Sequence, residues 1–487
     1  MKVAFVAAEG VPFSKTGGLA DVVGALPKAL AALGHEVEVI LPRYRTTPPG
    51  TTVPHAQSLT VPVGSGYKFA SVQDAGRAHQ VQTYLIDCPE YFDRDGLYQQ
   101  KGKDYPDNPF RFAAFSLAAL EFLKHGAECP DIIHCHDWQT ALVPIYLQNL
   151  YREDPYLRKT SVVFTIHNLG YQGLFSPHLL PQISLHAGLF TVDALEYYGT
   201  VNPLKGGIIF SDFITTVSRK YAEEIQTPEF GCGLEGVLRS QAQRLRGIVN
   251  GVDYTEWDPA TDKLLAANYT PGNLAGKAAC KKALLEKMGA VTPVLCRPVI
   301  GIVSRFASQK GFDLISTIAE QLADLDLYVV ALGTGEPAHE ELFRTMAAKY
   351  PGKFLVKIAY DNTLAHQIEA GSDMFLMPSR YEPCGLNQIY SLKYGAVPIV
   401  RATGGLDDTI EAFDGKSGTG FKFQEYSPQA LLATIQAALE AYQAPTLWHQ
   451  LVQNGMKKDF SWTTSARAYS QIYQSLQKGK GAATTHI

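Results

Sequence analysis

Short apolar stretches alternate with helical patterns along the whole chain, and glycine-rich loops often separate the two. In the first half, the apolar stretches cover residues 3–8, 37–41, 81–86, 132–135, 162–166 and 214–217. Helical patterns lie between them, near residues 19–33, 109–124, 140–150 and 219–225. Because strands with a continuous apolar sequence are buried on both faces, this alternation predicts a parallel β-sheet covered by helices.

The same alternation starts again in the second half, after a stretch that has no periodicity. This stretch, residues 253–276, contains Pro259, Pro271 and Gly272 and is predicted to be a linker. Beyond it we predict a helix at residues 277–288 and strands at residues 299–303, 327–332, 354–358, 374–377 and 397–400. We therefore expect two doubly wound, Rossmann-like α/β domains, at residues 1–252 and 277–460, followed by a helical segment at 461–487.

Composition excludes several classes of protein. The 43 basic and 47 acidic residues give a net charge of −4, so we expect no broad attraction to nucleic acid or to an anionic membrane. No uncharged stretch reaches the ~18–20 residues of a membrane-spanning helix, and the N-terminus lacks a signal-peptide pattern. The seven cysteines include no C-x-x-C pair. This argues against a disulfide framework or a thiolate zinc site and favours a cytoplasmic protein.

A hexapeptide of the form TGGLxD occurs once in each half, at residues 16–21 and 403–408. Each copy lies after a predicted strand and before a predicted helix. Paired glycines let backbone N–H groups approach an anion, and the N-terminus of the helix adds a partial positive charge. Lys15 precedes the first copy and supplies a full charge. We interpret the first copy as a phosphate-binding loop; the alternative is a plain glycine turn beside a solvated lysine.

Two further loops in the second half carry charged candidates. Arg305 and Lys310 follow the first strand of that half, and two cations suit a diphosphate. The alternative is a pair of solvated cations. Glu382 precedes a Pro-Cys-Gly turn that can direct its carboxylate toward a ligand, although it could also complement a helix dipole. Cys384 is interpreted as a packed or substrate-contacting thiol, because no base lies near it in sequence.

Two motifs resemble metal sites, and neither is assigned as one. Strand alternation places His134 and His136 on one face and Cys135 on the other, so the three cannot converge on one ion. The Asp-Arg-Asp sequence at residues 93–95 fits the pattern of metal-dependent sugar transferases. It lies far from any diphosphate signal and is interpreted as a solvated loop.

Polar residues at the ends of two predicted strands are candidates for sugar binding. Asp137 and Trp138 follow one strand, and a carboxylate beside an indole can bind the hydroxyls and the ring face of a sugar. His167 closes another strand, where it is either a site residue or a structural one.

The motifs together resemble those of bacterial-type glycogen and starch synthases, which are retaining glycosyltransferases of family 5. The matching stretches run in order from Lys15 to Thr409: KTGGLADVVGALP, HCHDWQT, FTIHNLGYQG, NGVD, SRFASQKG, SRYEPCGLNQ and RATGGLDDT. The resemblance implies the GT-B architecture, in which two Rossmann-like domains face a cleft. It also implies a C-terminal helix that crosses back to the N-terminal domain.

The resemblance further implies a reaction and a set of roles. Glucose would pass from ADP-glucose to the non-reducing end of an α-1,4-glucan with retention of configuration, without a cofactor. Catalysis would involve Glu382, His167, Arg305 and Lys310. Donor contacts would come from Lys15, Gly18, Asn250, Tyr360, Cys384, Gly385 and Leu386. Acceptor contacts would come from Asp137, Trp138 and Tyr98.

Other expectations follow from these roles. With Arg305 and Lys310 to neutralise the departing ADP, no divalent metal is required. Since the donor-binding cations lie in both halves, we expect catalysis to require closure of the two domains. Relatives often carry a second glutamate eight positions after the first, where this chain has Tyr390, so no ribose-binding carboxylate is assigned.

Several alternatives stay open on the sequence alone. The donor could be UDP-glucose. The chain could also be an α-glucan phosphorylase, which shares GT-B but needs pyridoxal phosphate and is much longer, or a non-catalytic glucan-binding protein. Neither the product, glycogen or starch, nor the oligomeric state can be derived from the sequence.

Overall fold

The computed structural model describes residues 1–100, 102–290 and 294–484. The chain divides into two units. Unit 1 comprises Met1–Gly251 and the C-terminal segment that begins at Trp462, and unit 2 comprises Val252–Ser461. The last three residues of the predicted C-terminal segment, 485–487, lie outside the described residues.

Unit 1 is built on one large sheet with two small hairpins beside it. Its strands are β1 (Lys2–Val6), β2 (Glu36–Pro42), β3 (Val53–Val63), β4 (Gly66–Ala78), β5 (Val81–Asp87), β6 (Gln99–Gln100), β7 (Lys103–Asp104), β8 (Ile132–His136), β9 (Ser161–Ile166), β10 (Glu196–Tyr197), β11 (Thr200–Val201), β12 (Phe213–Thr216) and β13 (Leu245–Gly247). Within the described residues the large sheet has the order β13-β12-β9-β8-β1-β2-β5-β4-β3. From β13 to β5 all neighbours are parallel, as predicted.

The hairpin of β3 and β4 was not predicted from the sequence. It extends the sheet with antiparallel pairing, β4 against β5 and β3 against β4. One face of β4 is open, with Tyr67 and Phe69 68% and 77% exposed, while Ala70 and Val72 are buried. A half-buried strand carries mixed residues and no continuous apolar stretch, so the apolar pattern of the sequence does not reveal it.

Helices cover the faces of the unit 1 sheet. They are α1 (Gly18–Ala32), α2 (Pro89–Phe92), α3 (Asn108–Lys124), α4 (Asp137–Thr140), α5 (Leu142–Asn149), α6 (Pro203–Phe210), α7 (Arg219–Glu224) and α8 (Glu235–Ser240). Short 3₁₀ helices lie at Leu157–Lys159, Pro177–Ile183, Ala187–Leu189 and Ala242–Arg244. Helix α3 is buried along most of its length, which explains its nearly continuous apolar sequence.

Unit 2 repeats the doubly wound plan on a smaller sheet. Its strands are β14 (Val299–Val303), β15 (Tyr328–Gly333), β16 (Phe354–Ile358), β17 (Met374–Met377), β18 (Val397–Arg401) and β19 (Phe421–Phe423). All pair in parallel, in the order β16-β15-β14-β17-β18-β19. The helices are α9 (Ala275–Lys287), α10 (Phe312–Thr317), α11 (Ala319–Asp324), α12 (Pro337–Lys349), α13 (Asn362–Gly371), α14 (Asn387–Tyr394), α15 (Gly404–Thr409), α16 (Pro428–Tyr442) and α17 (Pro445–Met456), with a 3₁₀ turn at Ser308–Lys310.

Residues 253–276 are held on unit 2 by buried polar and aromatic contacts. Trp257 lies between the rings of His366 and Tyr390, with centroid distances of 3.6 and 3.9 Å. The carboxylate of Asp262 lies 2.8 Å from His366 Nδ1 and accepts a hydrogen bond from Tyr394 at 2.6 Å. This segment therefore packs as part of unit 2.

The last helix, α18 (Trp462–Thr484), returns to unit 1, as predicted. Its buried side chains include Tyr469, Ile472 and Tyr473, which join the same core cluster as Val3 and Phe5 of β1. Among helices of the described ranges, none is both long enough and apolar enough to cross a membrane.

Candidate active site

The loop after β1 carries the first group of candidates. Helix α1 begins at Gly18, and a Cβ added at the preceding Gly17 would meet no atom within 4 Å. Lys15 extends from the same loop and donates a hydrogen bond to the carboxylate of Asp21 at 2.6 Å. The lysine side chain is 40% exposed. The loop therefore leaves open space at Gly17 and places a cation beside a helix N-terminus, two features that the anion-binding interpretation requires.

A buried glutamate that the sequence analysis missed lies beneath this loop. Glu9 is 4% exposed. Its carboxylate accepts hydrogen bonds from the backbone N–H of Thr16 and from the Thr16 hydroxyl, the latter at 3.0 Å. Tyr98 also donates its phenol to Glu9, at 3.1 Å. Burial raises the pKa of Glu9, while the bonds from Thr16 and Tyr98 lower it. The only signal in the sequence is an acidic residue directly after a buried strand.

The Asp-Arg-Asp sequence at residues 93–95 is a surface ion-pair network. Arg45 donates hydrogen bonds to both aspartates, Asp93 and Asp95, at 2.7 Å. Arg94 pairs with Asp107 instead. Nowhere in the part of the chain that the structure describes do three His, Cys, Asp or Glu side chains form a group that could hold a metal ion.

The histidines of β8 form part of a buried ring stack. The rings of His134 and His136 lie 4.3 Å apart, on the same side of the strand, as predicted. His134 hydrogen-bonds the phenol of Tyr473 at 2.7 Å and the hydroxyl of Thr165 at 2.6 Å. His136 Nδ1 lies 3.0 Å from His167 Nε2. Burial lowers the pKa of His167 to about 3, so its ring is neutral at pH 7.

Asp137 and Trp138 lie where β8 ends and α4 begins. Asp137 has a left-handed backbone, with φ of 56°, which is uncommon for a residue with a side chain. Its carboxylate accepts hydrogen bonds from the backbone N–H of His167 at 2.7 Å and of Asn168 at 3.4 Å. Burial raises the pKa of Asp137 to about 7. The carboxylate thus joins the ends of β8 and β9, which are adjacent strands.

Trp138 is enclosed by two other parts of unit 1. Phe112 of α3 contacts the indole edge to face, with centroids 5.1 Å apart. Gly173 lies against the indole so closely that an added Cβ would come within 2.3 Å of a ring carbon. A side chain at position 173 would therefore displace the indole.

Asn250 lies near the end of the first segment of unit 1, Met1–Gly251. It is buried, and its side-chain oxygen has no hydrogen-bond partner among the described residues. Burying such an oxygen without a partner is unfavourable. A donor from a ligand would satisfy it.

In unit 2 an ion pair joins two of the predicted residues, a half-buried lysine and a buried glutamate. Lys310 donates a hydrogen bond to the carboxylate of Glu382 at 2.6 Å, and the hydroxyl of Ser379 donates to the same oxygen at 2.9 Å. Glu382 is 5% exposed. Arg305, in the same loop as Lys310, is exposed. The pairing of Lys310 with Glu382 was not foreseen from the sequence, since the two lie 72 positions apart.

The second TGGLxD copy packs against the backbone of the Glu382 loop. Gly404 has φ of 45°, and a Cβ there would lie 2.0 Å from the carbonyl oxygen of Glu382. Gly405 donates its N–H to that carbonyl at 3.1 Å, and a Cβ added at Gly405 would lie 2.0 Å from the carbonyl oxygen of Cys384. Unlike the first copy, Gly404 and Gly405 are buried. Their lack of side chains allows close backbone packing rather than access for a ligand.

The remaining predicted residues of unit 2 lie around this loop. Cys384 is buried, Gly385 has a positive φ of 71°, and Leu386 precedes the first residue of α14. Tyr360 follows β16 and is 78% exposed, so its ring is open for stacking. Tyr390 is buried against Trp257, which explains an aromatic residue there in place of a second carboxylate.

Comparisons with known proteins identify the chain. The family model described as the starch synthase catalytic domain matches residues 2–240, and the model for group 1 glycosyl transferases matches residues 288–458. A glycogen synthase from Koribacter versatilis (strain Ellin345) is 55% identical over 97% of this chain and 98% of its own length. The chain belongs to the glycogen and starch synthase family. It is therefore a glycosyltransferase, and the phosphorylase and non-catalytic alternatives are set aside.

Further relatives in this family agree in sequence and in fold. A glycogen synthase from Geotalea daltonii is 46% identical over 99% of this chain and all of its own length. The catalytic domain of starch synthase IV from Arabidopsis thaliana, solved with ADP and acarbose, superimposes with a TM-score of 0.91 at 35% identity, over 98% of this chain and 99% of its own. A sucrose-phosphate synthase from Thermosynechococcus elongatus, at 18% identity and a TM-score of 0.61, covers 98% of this chain and 99% of its own and shares the fold. The predicted GT-B fold is confirmed.

The raised pKa of Asp137 predicts a pH-dependent effect of Asp137→Asn on stability. The folded pKa of about 7 lies above the ordinary value of 3.8. Between these pH values the folded chain holds a proton on Asp137 that the unfolded chain has released, so the contribution of Asp137 to stability falls as pH rises from 3.8 to about 7. Since asparagine stays neutral, the variant should gain stability relative to the unmodified chain between pH 4.5 and 7.5. Thermal unfolding midpoints at several pH values measure this.

The control is Asp104→Asn, which changes an exposed aspartate of unit 1 and should show no such trend. A stability difference for Asp137→Asn that stays constant across this pH range would contradict the raised pKa.

Proposed function

We propose that the chain transfers glucose from ADP-glucose to the non-reducing end of an α-1,4-glucan and retains the anomeric configuration. The observation that carries this proposal is the ion pair of Lys310 with the buried Glu382, which puts a carboxylate and a cation 2.6 Å apart. A reaction that separates charge between a sugar and a diphosphate needs both. Support for adenosine as the nucleoside and a glucan as the acceptor comes from the relative with bound ADP and acarbose.

The donor's diphosphate is assigned to cations from both units. In unit 1, Lys15 and the backbone at Gly18 bind phosphate oxygens at the N-terminus of α1. In unit 2, Arg305 and Lys310 neutralise the departing ADP. Tyr360, which is highly exposed, stacks on the adenine ring.

The transferred glucose is assigned to polar groups with the geometry to bind hydroxyls. Asn250 offers its buried side-chain oxygen. His167 is neutral, and because Nε2 faces His136, its Nδ1 is assigned to the sugar. The loop of Cys384, Gly385 and Leu386 supplies the remaining contacts at the start of α14.

The acceptor glucan is assigned to Asp137, Trp138 and Tyr98 in unit 1. Asp137 and Trp138 are adjacent at the end of β8, which lets a carboxylate and an indole bind the same sugar ring. Phe112 and Gly173 fix the indole, so little conformational freedom is lost when a ring stacks on it.

The chemical step follows from these assignments. The bond between glucose C1 and the phosphate oxygen breaks, and positive charge develops on the sugar ring. The Glu382 carboxylate stabilises that charge, while Lys310 and Arg305 stabilise the diphosphate. The acceptor hydroxyl attacks C1 from the same face, and the departing diphosphate oxygen takes its proton. Retention then needs no covalent intermediate.

Donor identity and stereochemistry test the proposal directly. With a maltooligosaccharide primer, we expect turnover with ADP-glucose and at least about tenfold lower kcat/KM with UDP-glucose, since each tenfold step corresponds to about 1.4 kcal/mol of discrimination. NMR of the first product should show an α-linkage. Equal or better use of UDP-glucose, or a β-linked product, would overturn the corresponding part of the proposal.

Glu382→Gln should lower kcat by about 10²–10³, because it removes charge stabilisation that acts in the transition state. ADP affinity, measured by calorimetry, should change little, since the carboxylate acts on the sugar. Glu320→Gln breaks an exposed glutamate–lysine pair of unit 2 and is the matched control, with unchanged kcat. Wild-type turnover in Glu382→Gln, or loss of its ADP binding, would contradict the assigned role.

Lys15→Gln should weaken donor binding more than acceptor binding. A charged hydrogen bond to phosphate contributes about 1.5–3 kcal/mol, so donor KM should rise about tenfold or more. The variant also leaves Asp21 without its lysine partner near the diphosphate, which adds repulsion. The control is Lys68→Gln, which breaks a pair with Glu90 elsewhere in unit 1. An unchanged donor KM would contradict the donor-binding role of Lys15 and would favour the interpretation of Lys15 as a solvated lysine.

A further inference from the structure

One buried carboxylate contacts both the proposed donor loop and a proposed acceptor residue. Glu9 Oε1 accepts hydrogen bonds from the Tyr98 phenol at 3.1 Å and the Thr16 hydroxyl at 3.0 Å. Glu9 Oε2 accepts from the backbone N–H and the hydroxyl of Thr16. Both oxygens are therefore used, and they connect two segments that lie more than eighty positions apart in sequence.

The two segments attached to Glu9 carry different ligands in the proposed function. Thr16 lies between Lys15 and Gly17, so its position sets that of the phosphate-binding loop. Tyr98 belongs to the segment between α2 and α3, where its backbone carbonyl accepts a hydrogen bond from Asn108 at 3.0 Å. The backbone at Tyr98 is thereby fixed on α3, while its phenol reaches Glu9.

The charged groups near Glu9 make its carboxylate dependent on these hydrogen bonds. The Lys15 ammonium pairs with Asp21. Burial raises the pKa of Asp137, and the nearby carboxylate of Glu9 raises it further. A buried carboxylate beside a second one depends on its hydrogen-bond donors. Loss or strengthening of one donor therefore changes how tightly Glu9 holds the other.

We propose that Glu9 is a positioning residue through which the glucan acceptor and the nucleotide donor promote each other's binding. A glucan hydroxyl that donates to the Tyr98 phenol oxygen makes that phenol a stronger donor to Glu9, because hydrogen bonds in a chain polarise one another. Glu9 is then fixed in the position that orders Thr16 and the Lys15 loop. The donor meets an already ordered loop and binds more tightly. This inference rests on the proposed donor and acceptor.

The experiment is a binding cycle measured by titration calorimetry. The affinity for ADP is measured with and without saturating maltopentaose, and the affinity for maltopentaose with and without ADP. In the unmodified chain we expect each ligand to tighten the other by the same factor, about fivefold or more. This ratio reports coupling between the ligands, which a purely structural role of Glu9 would not create.

Two variants remove the connection in different ways. In Glu9→Gln the amide oxygen can still accept from Thr16, but one carboxylate oxygen is replaced by a donor that cannot accept from Tyr98. Tyr98→Phe keeps the ring and removes the phenol. We expect the coupling factor to fall to about one in both, with maltopentaose still binding to Glu9→Gln. If Glu9→Gln does not fold, as judged by thermal unfolding, Tyr98→Phe decides the question.

The matched control is Tyr146→Phe, which removes a buried phenol that donates to the carbonyl of Ile183 in the same unit. It should keep the coupling. The proposed role of Glu9 would be overturned if coupling persisted in folded Glu9→Gln and Tyr98→Phe. It would also be overturned if coupling were absent from the unmodified chain although both ligands bind. Neither result would contradict the proposed function. Failure of ADP or maltopentaose to bind the unmodified chain would overturn the proposed function and this inference with it.

Discussion

Parallel strands in one sheet end at the same edge, and this constraint positions most of the charged residues of the candidate site. In unit 1 the adjacent strands β1, β8 and β9 are followed by Glu9, Asp137 and His167. In unit 2 the adjacent strands β14, β17 and β18 end at the loops of Arg305 and Glu382 and at the second TGGLxD copy. Residues far apart in sequence are thus brought together by strand order, before any side chain makes a contact.

This constraint also explains how much of the candidate site could be predicted from sequence. Strand ends are visible as the last residue of an apolar stretch, so the candidates at Asp137, His167 and Arg305 could be named. Which of these residues contact one another could not be predicted, because the sequence pattern does not give the order of the strands in the sheet. The pair of Lys310 and Glu382 depends on β14 and β17 being neighbours. Glu9 was missed because a single acidic residue after a strand has no distinguishing pattern.

The two TGGLxD copies share a sequence pattern but differ in their structural surroundings. Both copies lead into a helix after a parallel strand, but their backbones differ at the first glycine, because Gly17 is extended whereas Gly404 has φ of 45°. The first copy is open to a ligand beside Lys15, whereas Gly404 and Gly405 of the second lie under the carbonyls of Glu382 and Cys384. The difference comes from the Glu382 loop, which covers the second copy. The surroundings of the motif therefore determine both the backbone at the paired glycines and whether a ligand can reach them.

The return of α18 to unit 1 has a consequence for how the protein is made. Unit 2 is continuous in sequence, and all of it leaves the ribosome before α18 does. The core around Val3 and Phe5, and the partner of His134, are completed by Tyr469, Ile472 and Tyr473 at the far end of the chain. During synthesis, unit 1 therefore exposes part of its apolar core until the final helix arrives, and unit 2 can fold first.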